Sequence, residues 1–105
     1  MKKLMMIAAA AGLVLASSAH AVDAEKAKAL AQSKNCLACH AIDKKLVGPA
    51  YTEVSKKYKG NKDAEDMLIK KVINGGGGVW GTIPMPPNPA KQDEAKLLVA
   101  WDLSM

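Results

Sequence analysis

Residues 36–40 read Cys36-Leu37-Ala38-Cys39-His40, and no other stretch restricts the fold of this chain as tightly. These are its only two cysteines, followed directly by one of its two histidines. Two thiols three positions apart on a helical turn present both sulfurs to the same side. C-x-x-C-H is the attachment signature of c-type haem. Each thiol adds to one haem vinyl group to form a thioether, and the following histidine lies beneath the iron. A chain with this motif is expected to fold around a flat, covalently held cofactor.

The N-terminus agrees with that chemistry, because haem is attached after export. The chain opens MKKLMMIAAAAGLVLASSAHA. Lys2 and Lys3 form a positive start, residues 4–16 an apolar run, and Ala19-His20-Ala21 a small-x-small cleavage site. The run is too short to span a bilayer comfortably, and a polar SSAH segment closes it. Residues 1–21 therefore read as a cleaved secretory signal rather than a retained anchor, and residues 22–105 as one small domain. In a bacterium that places the mature protein in the periplasm. No other apolar run approaches transmembrane length, so no stable membrane insertion of the mature protein is expected.

Removing the signal sharpens the alternatives. A structural zinc site needs four ligands, and only Cys36, Cys39 and His40 remain of the usual cysteine and histidine donors. A dithiol oxidoreductase site normally sits at a strand-to-helix junction, yet the preceding AEKAKALAQSKN is a helix former. A plain disulfide leaves His40 without a task. The charge excludes another class. Of 15 basic and 10 acidic side chains in the full chain, two lysines leave with the signal, so the mature domain is only mildly basic. It has no arginine, the usual bidentate reader of phosphate and guanine, and nucleic-acid binding is a poor fit.

Size gives the cofactor a structural role as well. A domain this short buries a limited share of its surface, and this one has no phenylalanine and only four aromatics, Tyr51, Tyr58, Trp80 and Trp101. Small domains of this kind borrow stability from metals, disulfides or cofactors. A haem would fill the core.

Iron bound by His40 has one axial position left. His20 departs with the signal, so a second histidine is not available, and methionine is the other common low-spin partner. Met67 lies in AEDMLIKKVI, where it is grouped with Leu68 and Val72 as a core residue. Met105 ends the chain and is expected to fray. Met85 sits in GGGGVWGTIPMPPNP, residues 75–89, a stretch almost devoid of helix and strand formers. Prolines on both sides restrict it before folding begins, and the glycines permit close backbone approach to a flat cofactor. Met85 is the expected distal ligand. The other reading of the segment, a flexible linker, lacks a second domain to connect.

The rest reads as short helices: residues 23–34 with Asp23 as N-cap and Ala27, Leu30 and Ala31 inward; residues 50–59, ended by Gly60; residues 63–74, stopped by Gly75; and residues 92–103, with Leu97, Leu98 and Trp101 in one stripe. No segment alternates convincingly enough for a strand, so the fold class is all-α.

CLACH, AIDKKLVGPAY and VWGTIPMPPN, in this order and at these separations, closely resemble the small bacterial class I c-type cytochromes of the cytochrome c-551 and c-552 (c8) type. The likeness spans essentially the whole mature chain, and VWGTIPMPPN is far more specific than the C-x-x-C-H motif alone. It implies a class I cytochrome c fold of four to five short helices around one covalent haem c. It also implies His/Met-ligated iron and one-electron transfer between periplasmic redox partners. Those partners include membrane cytochrome complexes, nitrite reductases, terminal oxidases or peroxidases. Carried over by residue, Cys36 and Cys39 are the thioether anchors, and His40 and Met85 the axial ligands. The Pro49 carbonyl accepts from the ligand histidine, Trp80 donates to a haem propionate, and Asn88 contacts the methionine sulfur. With both axial sites filled, the protein is expected not to be an enzyme. A five-coordinate haem enzyme or gas-binding protein is the alternative. Lys44, Lys45, Lys56, Lys57 and Lys59 form a candidate basic rim for acidic partners. Two departures from the pattern are the run of four glycines and the missing arginine, which leaves the propionate contacts on that side open.

Overall fold

The computed structural model describes residues 22–105, so the expected signal sequence and its cleavage site lie outside the described residues. Among the described residues four α-helices follow one another: α1 (Ala24–Ser33), α2 (Tyr51–Tyr58), α3 (Ala64–Asn74) and α4 (Gln92–Leu103), with a 3₁₀ turn at Cys36–Ala38. Only two isolated bridges, His40 with Lys45 and Gly76 with Met85, interrupt the helical pattern among the described residues.

Several helix ends have identifiable causes. The Asp23 carboxylate accepts from the Lys26 amide at 3.0 Å and caps α1, satisfying one of the amides a helix N-terminus leaves unpaired. In α4 the Glu94 carboxylate accepts from the Lys91 amide at 2.8 Å. Asp93 and Glu94 in this first turn also favour the helix dipole. Gly75 ends α3 with φ of 76° and bonds back to the Lys71 carbonyl.

The last helix organises the others, packing against α1, α2 and α3. Toward α1 and α2 it forms one core with Ala27, Ala31, Tyr51, Leu98 and Trp101. Toward α3 it forms another with Ile69, Ala95 and Val99, flanked by Leu68 and Val72. No large side chain is fully buried among the described residues. The two small clusters leave a gap between them, and that gap is the site.

Two expectations need correction. Met67 is 40 % exposed rather than core, and Ile69 takes the buried place on α3. At ~100° per residue, Met67 points about 100° away from Leu68 and about 140° from Val72, so the three cannot share one face. The C-terminus is also tied down rather than frayed. The Ser55 hydroxyl donates to the carbonyl of Met105 at 2.9 Å, and the Met105 amide bonds to the Asp102 carbonyl.

Candidate haem pocket

The turn after α1 aims the cysteines and histidine. Asn35 takes the left-handed conformation, φ 64°, which asparagine tolerates better than most residues. The chain then makes one tight turn, with the amides of Cys39 and His40 both bonded to the Cys36 carbonyl. The segment beyond is pinned by bonds from the amides of Gly48 to the Cys39 carbonyl (2.7 Å), Tyr51 to Ala41 (2.9 Å) and Thr52 to Ile42 (3.0 Å). These fold residues 41–49 back over the motif and bring Pro49 to the histidine.

His40 is fixed on three sides. Its Nδ1 lies 2.8 Å from the Pro49 carbonyl. A carbonyl can only accept, so Nδ1 donates to it, which in the neutral ring leaves the lone pair on Nε2. The Tyr51 ring stacks on the imidazole at 5.0 Å, and Trp101 of α4 meets Tyr51 edge-on at 5.4 Å. On the third side, a Cβ placed on Gly48 would come within 2.7 Å of the His40 ring. Only glycine fits at this position.

Another part of the lining comes from the 75–89 segment. Gly76 and Met85 exchange two backbone hydrogen bonds, 2.9 and 2.7 Å, closing the loop between them. The Asn88 amide bonds to the Val72 carbonyl, so both ends of the segment are fastened to α3. A Cβ on Gly75 would lie 2.6 Å from the Met85 carbonyl oxygen. The loop thus holds its shape with no regular element in it.

The two segments share a cavity of about 470 Å³, whose lining includes Cys36, Cys39 and His40 from the first and Met85 from the second. Its depth is apolar, with Val54, Leu68, Val72, Leu98 and Val99, and Trp80 stands on its wall. At its mouth Val47, Val79 and Ile83 (67 % exposed) are apolar side chains left in solvent. Such a rim is what a flat, largely apolar group lying in the cavity would cover. Burial raises the pKa of the Cys36 thiol, although the Tyr51 hydroxyl beside it pulls the other way. Tyr51 itself is pushed far up, by burial first and then by Cys36 and Asp102, and stays protonated. Donor set and shape fit a haem.

Asn88 is placed beside the loop, but its side-chain amide donates to the Lys34 carbonyl at 2.9 Å, and its Oδ1 is buried without a partner. Trp80 is partly exposed, with the Lys57 ammonium 5.8 Å from its ring centre. Sequence reading missed three features. Gly48 had no signal beyond being a glycine before proline. Lys71 lies on the cavity wall, packed over Gly76, and adds a cation to the lining of a chain without arginine. Asp102 also lines the cavity, buried near the end of α4.

A small all-helical domain with a C-x-x-C-H turn facing a methionine loop across one apolar cavity defines a c-type haem protein. Comparison with known proteins agrees. The cytochrome c family profile matches residues 24–104. Cytochrome c-551 of Pseudomonas aeruginosa is 50% identical over 95 residues, covering 90% of this chain and 88% of the relative. Cytochrome c-552 of Hydrogenobacter thermophilus is 45% identical over 107 residues, covering 100% and 99%. The crystal structure of wild-type Nitrosomonas europaea cytochrome c552 matches with a TM-score of 0.71 at 44% identity, covering 73% of this chain and 96% of that one. The chain belongs to the cytochrome c family, among its c-551 and c-552 members. It is an electron-carrier cytochrome with covalently bound haem c.

Proposed function

We propose that Cys36 and Cys39 carry the haem through two thioethers and that His40 Nε2 and the Met85 sulfur fill the two axial positions. The protein then moves single electrons between periplasmic redox proteins after its first 21 residues have been removed. The observation that carries this reading is that Cys36, Cys39, His40 and Met85 all line one cavity. The haem supplies reversible one-electron chemistry at iron. Everything else is done by the chain's own side chains and backbone.

Pro49 orients the imidazole and, by accepting from Nδ1, makes Nε2 a better donor to iron. Met85 favours the reduced state relative to harder ligands, and the apolar cavity disfavours the extra charge of ferric iron, so both raise the potential. Two filled axial positions keep substrate from the metal, which makes the protein a carrier and not an enzyme. Trp80 and Lys71 are donors for the haem carboxylates. Asn88 would serve the Met85 sulfur only by releasing the Lys34 carbonyl, which its amide holds at 2.9 Å. Lys44, Lys45, Lys57 and Lys59 steer acidic partners. Lys56 is partly neutralised by Glu53 at 3.5 Å and contributes less. Among the described residues, no helix is long and apolar enough to cross a membrane.

Met85→Ala tests the ligand assignment. The variant is expected to keep its covalent haem, to bind carbon monoxide readily when reduced, and to show a lowered potential. An unchanged potential places the distal ligand elsewhere.

A further inference from the structure

α4 ends on a carboxyl group where neither the helix nor the cavity favours a charge. Asp102 is the penultimate residue of α4, 9 % exposed, and stands on the cavity wall with Leu98 and Val99. Its Oδ1 is buried with no hydrogen-bond partner. The helix dipole places partial negative charge at this end, which opposes a carboxylate there. The two ion pairs of the described residues join Lys34 to Glu94 and Lys56 to Glu53, and neither involves Asp102.

The groups around it offer no compensation. From α2, the Tyr51 hydroxyl is itself pushed up by Asp102, Tyr58 faces the same cavity, and Ser55 donates instead to the carbonyls of Leu103 and Met105. From α3, Lys71 lines the cavity, and His40 and Lys45 line it from the segment before α2, but none of the three pairs with Asp102. α1 meets α4 through Ala27 and Ala31; neither of its cations, Lys26 and Lys28, pairs with Asp102, and Lys34 just beyond it is held by Glu94 in the first turn of α4. Burial pushes the Asp102 carboxyl up to about 7.

We infer that Asp102 takes up a proton when the haem iron is reduced and releases it on oxidation, so that this protein carries a proton with its electron. The inference rests on the haem-pocket reading above. One electron arrives from a one-electron donor protein and one proton from solvent. Ferric iron and the Asp102 carboxylate become ferrous iron and the Asp102 carboxylic acid, and delivery to the acceptor reverses both changes. The O–H bond of Asp102 forms and breaks; no other bond changes. The cause is electrostatic. A carboxylate in a poorly solvated cavity is attracted more strongly to ferric than to ferrous iron, so each state of the metal selects one state of the acid. Linkage makes the effect reciprocal: proton affinity depends on the iron, and electron affinity depends on the proton.

The experiment is the reduction potential of the holoprotein between about pH 5.5 and 8.5, with Asp102→Asn, which keeps the shape, and Asp102→Val beside it. The wild-type potential is expected to fall with rising pH. The steepest slope is a tenfold change in the reduced-to-oxidised ratio per pH unit, about 59 mV for one electron. Both variants lose that component and lie above wild type at the alkaline end. Independently of any variant, wild-type protein in weak buffer takes up protons on reduction, and an infrared carboxylic-acid C=O band appears that both variants lack. A flat wild-type potential without proton uptake overturns the proposal. So does a slope that survives in both variants, which then belongs to the haem carboxylates. The ferric methionine–iron band, recorded on the same samples, separates the two failures. A flat potential with the band present removes Asp102 alone, whereas an absent band removes the axial-ligand reading.

Discussion

His40 shows how much of a haem site is set by residues that donate no ligand. Pro49 fixes the tautomer, Tyr51 stacks on the ring, and Gly48 leaves room for it. Gly48→Ala puts a methyl group 2.7 Å from the His40 ring, and an overpacked core site of this kind costs about 1–3 kcal/mol. Thermal denaturation of the holoprotein should show that loss, together with weakened His–iron ligation; an unperturbed variant would mean that the ring has slack. Asp102 supplies a second prediction at this scale. Its folded-state pKa, about 7, lies above the unfolded value of 3.8. The folded polypeptide therefore binds the proton more tightly, and stability from this group is full below pH 3.8 and is lost as pH rises through about 7. The loss is on the order of 4 kcal/mol. Asp102→Val is expected to unfold at higher denaturant than wild type at pH 8, with the gap narrowing toward pH 4; no gap at pH 8 contradicts the buried charge. Such residues are hard to read in advance. Asp102 lies in the final turn of an amphipathic helix, where an acid normally meets water, and only the cavity beside α4 makes it unusual.

At the scale of elements, the 75–89 segment and α4 were legible to different depths. A methionine flanked by prolines announced an ordered loop, and α4 carried its stripe and its acidic first turn openly. What the local pattern withheld was how the loop is fastened: reciprocal bonds between Gly76 and Met85, and Asn88 bound to Val72. Those links join residues distant in sequence, and no periodicity records them. The misplacement of Met67 has the opposite origin, because α3 is apolar over much of its circumference and a few residues do not define its inner face. Gly75 turns the loop into a prediction. Its φ of 76° and the 2.6 Å approach to the Met85 carbonyl leave no place for a Cβ. Gly75→Ala is expected to cost about 1–3 kcal/mol and to lower the pH or temperature at which the methionine–iron band of the ferric protein disappears. A variant whose band persists to the wild-type limits would show that the loop does not depend on this turn.

For the whole molecule, the sparse core explains why folding and cofactor belong together. Two small clusters flank the cavity, no large side chain is fully buried among the described residues, and apolar groups stand exposed at the cavity mouth. A Cys36→Ala/Cys39→Ala chain that has acquired no haem is expected to keep part of its helical far-ultraviolet signal while losing fixed near-ultraviolet signals and a cooperative thermal transition. Native-like cooperative unfolding without haem would show that the polypeptide core suffices. The overall architecture was accessible from the sequence because one motif demanded a cofactor and the helices around it were short and well delimited. The central claim, a carrier whose haem is closed by His40 below and Met85 above, is tested most directly by the absorption spectrum of the intact protein. The ferric form should show the long-wavelength methionine–iron charge-transfer band, and the reduced form should not bind carbon monoxide readily. A ferric spectrum without that band, with rapid carbon monoxide binding on reduction, would contradict it.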